Sequence, residues 1–80
     1  MDVKKLKEST VPGSVYEHYK GNMYIFLHEA TDHVTGAVIV VFRDKYDKLW
    51  YRTLQEFFGK VNIDGEKVPK FRFTGQVLSV

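Results

Sequence analysis

Ala37–Phe42, Ala-Val-Ile-Val-Val-Phe, is an unbroken run of six apolar residues, four of them β-branched. Such side chains are stiff at χ1 and suit a pleated surface better than a helix. The run is opened by Thr35-Gly36 and closed by Arg43-Asp44. It therefore predicts a central strand buried on both faces. In a chain of 80 residues the other segments must cover this strand. A domain of this size buries roughly 60–65% of its unfolded surface and has little stability to spare. Aromatic residues make up 15% of the chain, and large rings supply the area that a small core needs.

The flanking segments read as short strands separated by turn signals. Met1–Thr10 carries three Lys and two acids and is expected to form a flexible arm (residues 1–12), ended by Val11-Pro12-Gly13. The domain spans residues 13–73 in this reading. Ser14–Lys20 is the first strand and Gly21-Asn22 a two-residue hairpin turn. That turn would set Tyr19 opposite Tyr24, His18 opposite Ile25 and Glu17 opposite Phe26. Met23–Thr31 is the second strand, and Asp32–Gly36 is a loop with Gly36 in the left-handed position. Leu49–Arg52 is a fourth strand. Thr53-Leu54-Gln55-Glu56 fits a capping box, so a helical turn carrying Leu54, Phe57 and Phe58 follows, stopped by Gly59. Asp64-Gly65 joins Val61–Ile63 to Val68–Phe73, where Phe71 and Phe73 share a face. Thr74–Val80 is read as a C-terminal tail. The fold class is mainly all-β: a small antiparallel SH3-like barrel with one short helical turn, with an OB-like barrel as second choice.

Charge is interspersed. Residues 1–20, 21–59 and 60–80 carry net charges of +1, −1 and +2, which sum to the overall +2. This balance argues only weakly for nucleic acid. The absence of cysteine excludes a disulfide framework and suits a reducing cytosol, so a cytoplasmic location is expected. Met1–Val11 has no apolar core of a signal peptide, and no stretch approaches the length of a membrane span.

His18-Tyr19-Lys20-Gly21, Tyr24, Ala30, His33, Thr35, Val40-Val41-Phe42, Tyr46, Trp50, Arg52, Phe57, Gly65 and Val68-Pro69-Lys70-Phe71 together resemble domain-of-unknown-function family 1653. Its members are small bacterial and phage domains. The resemblance runs from about Gly13 to Phe73 and implies a compact β-rich domain without an established activity. A phage setting would imply sequestration of a small signalling nucleotide as one form of binding. Two departures from the family pattern stand out: a shorter loop before Trp50, and Thr53 in place of a frequent Pro.

Catalytic constellations are not signalled. No cysteine or nucleophile-elbow serine is present, and Glu17, Glu29 and Glu56 fall on three separate elements. An enzyme is therefore not expected, nor is a cofactor. His18, His28 and His33 lack a metal-ligand spacing; His18 reads as a partly buried, hydrogen-bonded residue and His33 as a loop residue. What remains is aromatic and cationic. Tyr19, Tyr24, Tyr46 and Trp50 with Lys20, Arg43 and Arg52 are the candidate ligand-binding residues; Tyr51 and Lys70 belong to the same wider set. Flat rings stack on bases, and Arg or Lys meets phosphate. Trp50 and Arg52 share one face of their strand, and Glu56 is the nearest partner for Arg52 if that guanidinium is paired. The competing reading makes Trp50 and most tyrosines core rings. The expected function is a non-catalytic binding module for a nucleotide or short nucleic acid. The alternative is a protein–protein adaptor or homo-oligomer built through a strand edge near Pro69–Phe73.

Overall fold

The computed structural model describes residues 11–79; the expected arm over Met1–Thr10 lies outside them. Among the described residues seven strands and one helical turn follow in order: β1 (Ser14–His18), β2 (Met23–Thr31), β3 (Val38–Arg43), β4 (Leu49–Thr53), α1 (Leu54–Phe57), β5 (Lys60–Ile63), β6 (Glu66–Pro69) and β7 (Phe71–Val77). Five strands form an antiparallel sheet in the order β4-β3-β2-β1-β7, and β5-β6 form a separate hairpin. The fold is mainly β, as expected. The SH3-like barrel is not closed: β4 and β7 are the two edges of the large sheet, and no ladder joins them.

The run at Ala37–Phe42 does become an interior strand of the sheet. Burial on both faces does not hold, however. Val40 and Phe42 are 0% and 3% exposed, but Val38 at the start of the same face is exposed, and Ile39 and Val41 on the other face are half-buried. The reason is layering: α1 packs on β3 and β4 from the side of Phe57, and among the described elements no other helix covers the sheet. The core joins Tyr16, Phe26, Val40, Phe42, Phe57 and Phe71, with Tyr24, Leu54, Phe58 and Phe73 packed around it. Rings supply most of this volume.

Phe57 is the hub. It lies parallel to Phe71 at 4.3 Å, edge-on to Tyr16 at 5.0 Å and tilted against Phe42 at 5.4 Å. The capping box delivers it there. The Thr53 hydroxyl accepts from the Glu56 N–H at 3.1 Å and donates to the Glu56 carboxylate at 3.0 Å. The helix is a single turn, so packing rather than propensity holds it.

The first hairpin departs from expectation. Val15 pairs with Ile25, Tyr16 with Tyr24 and Glu17 with Met23. The loop is Tyr19-Lys20-Gly21, three residues closed by His18 N–H donating to Asn22 C=O at 2.7 Å. Gly21 takes φ 101°, the left-handed position that a three-residue hairpin requires. Turning Tyr16 into the core decides this register, and Tyr19 no longer faces Tyr24. The Asp32–Gly36 and Asp64-Gly65 turns form as expected; Asp64 and Gly65 both have positive φ, the signature of a type I′ hairpin. Thr74–Val77, read as tail, continues β7. Ser14 pairs with Val77, and the Thr74 hydroxyl donates to Val15 C=O at 2.9 Å.

Candidate functional site

On the inner side of the sheet, at the end where the β1–β2 loop meets β4, lies a cleft of about 480 Å³. Its deepest rings are Phe42 and Phe71, both core residues. Tyr24 stands edge-on to both, at 5.3 Å and 5.6 Å. Trp50 and Arg52 come from β4, where Trp50 sits opposite Phe42 and Arg52 opposite Val40, so both point to the core side of the sheet. Lys20 enters from the tip of the first hairpin, and His18 and Asn22 from its flanks.

Trp50 is held in place. Its indole N–H donates to Asp44 Oδ2 at 2.9 Å, and Lys48 Nζ lies over its ring at 4.6 Å. The other Asp44 oxygen accepts backbone N–H bonds from Tyr46 and Lys48. The indole bond above all, then these backbone bonds and the Lys48 charge, hold the Asp44 carboxyl below its usual range. Even so, Trp50 is 43% exposed, so it is a rim residue and not a core ring.

Arg52 approaches Glu56 at 4.0 Å, the partner expected from sequence. Both side chains are about half exposed, and such a pair contributes at most about 1 kcal/mol, leaving the guanidinium able to meet another anion. His18 is partly buried, as expected. Its ring packs against Tyr19 at 4.4 Å and Phe71 at 4.9 Å, and its Nδ1 accepts the Lys20 N–H at 3.2 Å. Burial first, then the charges of Lys20, Arg52 and Lys70, lower its pKa.

Of the seven residues singled out from sequence, the cleft brings together Lys20, Tyr24, Trp50 and Arg52. Tyr19 borders an adjoining depression with Lys70. Tyr46, largely exposed under Lys45, borders a neighbouring hollow of about 180 Å³ that meets the cleft only through Asn22 and Tyr24. Arg43 is left outside. It pairs with Asp47 at 3.5 Å and sits opposite Leu49, on the outer face, because alternation along β3 sends Phe42 inward. The set had missed His18, Phe42 and Phe71 as site residues. The signal was present in the two segments His18–Gly21 and Val68–Phe71. These meet where His18 pairs with Phe71 and Tyr19 N–H donates to Lys70 C=O at 2.9 Å. Among the described residues no group of three potential metal ligands converges.

A small antiparallel β-domain with an aromatic cleft rimmed by cations is thus the class that fold and site define. The family model described as protein of unknown function (DUF1653) matches residues 14–74, and the chain belongs to that family. It is similar to a crystal structure of a DUF1653 protein from Bordetella bronchiseptica, at 30% identity and a TM-score of 0.72. That alignment covers 91% of this chain and 97% of the other. No curated protein matches the chain. Among the described residues no helix is long and apolar enough to cross a membrane.

Proposed function

We propose that the domain is a non-catalytic binding module whose ligand is a nucleotide or a short single strand, acting in a reducing cytoplasm. One observation carries this reading: Lys20 and Arg52 converge on a cleft built of Tyr24, Phe42, Trp50 and Phe71. A ring can lie against the aromatic wall while a phosphate meets the cations. The cleft volume of about 480 Å³ falls within the roughly 300–1,000 Å³ of small-molecule sites.

The test is the melting temperature of the purified chain against nucleotides, cyclic nucleotides and short single strands. A ligand at a hundred times its Kd adds about 2.7 kcal/mol, a shift of about 10–20 degrees for a domain of this size. Trp50→Phe and Arg52→Gln are then compared. Lost binding in variants that melt like the parent supports the assignment; unchanged binding overturns it. The adaptor reading draws on the open edge of β7. It predicts no ligand shift and a mass that grows with concentration.

A further inference from the structure

Beside the cleft lies a depression of about 230 Å³ bounded by His18, Tyr19, Lys20, Arg52, Lys70 and Phe71. It shares His18, Lys20, Arg52 and Phe71 with the cleft, so the two are one concavity with an aromatic end and a cationic end. Among the described residues no carboxylate lines the cationic end. Lys20 and Lys70 form no ion pair with a described acid, and Arg52 holds Glu56 only at 4.0 Å. Ammonium and guanidinium groups donate and cannot accept. His18 adds a further donor: since Nδ1 accepts the Lys20 N–H, the neutral ring carries its proton on Nε2. Burial first, then the charges of Lys20, Arg52 and Lys70, lower the proton affinity of His18, so all three cations lie within electrostatic reach of this one ring. Three cations and a neutral donor match an acceptor that brings several oxygens and more than one charge. A phosphodiester brings one negative charge; a phosphate monoester brings about 1.5 to 2 at pH 7 and three acceptor oxygens.

We infer that the cationic end, formed by Lys20, Arg52, Lys70 and His18, is a subsite for a terminal phosphate monoester. The ligand class is then a nucleoside 5′-phosphate, or a 5′-phosphorylated strand end, in preference to a cyclic nucleotide or an internal phosphodiester. This rests on the functional reading above and narrows it.

The experiment is titration calorimetry of the full chain with the four nucleoside 5′-monophosphates, their 3′,5′-cyclic counterparts and inorganic phosphate, repeated with Lys70→Gln. Lys70 contributes to the fold through its backbone, donating to Gly59 C=O and accepting from Tyr19 N–H, and both bonds survive the substitution. Lys20→Gln, at the exposed hairpin tip, gives the same readout independently. The expected result is a 5′-monophosphate that binds at least about tenfold more tightly than its cyclic counterpart, with the gap closing in either variant. Equal affinity for the two forms, or an equal loss for both in the variants, overturns the subsite and leaves the binding module standing. Inorganic phosphate binding as tightly as the monophosphates supports the subsite and overturns base stacking. A chain that binds none of them overturns the subsite, and the melting panel with short single strands then decides the binding module.

Discussion

Replacing Phe57 by alanine tests whether one ring holds the helical turn onto the sheet. Phe57 is 0% exposed and is the only buried residue of α1. Its neighbours Tyr16, Phe42, Phe58 and Phe71 all have ring centroids within 5.4 Å. Core Phe→Ala changes cost about 3–5 kcal/mol, from lost transfer energy plus a residual cavity. A rigid sheet on one side prevents full collapse, so the upper part of that range applies. The whole domain is stable by about 4–12 kcal/mol on the usual per-residue scale. Phe57→Ala therefore removes between a third of the stability and all of it. Urea unfolding followed by the fluorescence of Trp50, the sole tryptophan, reads this directly. With a slope of about 1 kcal/mol/M, the midpoint falls by about 3–5 M or the variant is unfolded without denaturant. Phe57→Leu, which keeps most of the volume, costs about 1–2 kcal/mol. A loss below about 1 kcal/mol for the alanine variant would refute the claim that this ring anchors the plug.

Three further outcomes follow from the same contacts. Thr53→Ala removes the hydroxyl that caps Glu56 N–H and lowers stability by about 1 kcal/mol in the same urea assay. The Asp44 carboxyl is lowered chiefly by its bond from the Trp50 indole, so its contribution is present above the unfolded value of 3.8 and is lost as pH falls through the folded value. Trp50 emission changes in that acid range, and Asp44→Ala reproduces the acid spectrum at neutral pH; identical spectra for variant and parent would sink this. His18 is kept neutral by burial first and by Lys20, Arg52 and Lys70 next. The unfolded chain binds more protons just below pH 6.5, so this contribution to stability falls as pH drops through that window. An NMR titration of the His18 ring should show a midpoint below 6.5 that rises when phosphate binds; a midpoint at or above 6.5 in the free domain contradicts the placement.

Local chemistry was legible where it was local. Thr53 and Glu56 announce a cap, and Asp64-Gly65 announces a type I′ hairpin, because both depend on residues within one turn of each other. The first hairpin was misread for a tertiary reason. Gly21-Asn22 is a sound two-residue turn, but it would have placed Tyr19 across from Tyr24. The core instead selects Tyr16, whose ring reaches Phe57 and Phe73. Likewise Trp50 and Arg52 could be assigned to one face of β4, but not that face to the cleft. Arg43 looks like its neighbours in composition and differs only in the parity of its strand position. His18 and Lys70 meet through the β1–β7 ladder, which no spacing in the sequence encodes.

That ladder also sets the order in which the molecule can become competent. Glu17 and Arg72, paired across it, are 55 positions apart, and such distant pairings form late because their loop entropy must be overcome first. A chain emerging from the ribosome can build the β1–β4 meander while Lys70 and Phe71 are still unmade. The cationic end of the cleft cannot exist at that stage. The proposed phosphate subsite therefore forms only with the docking of β7, and a chain that ends before Lys70 lacks two of its walls, Lys70 and Phe71.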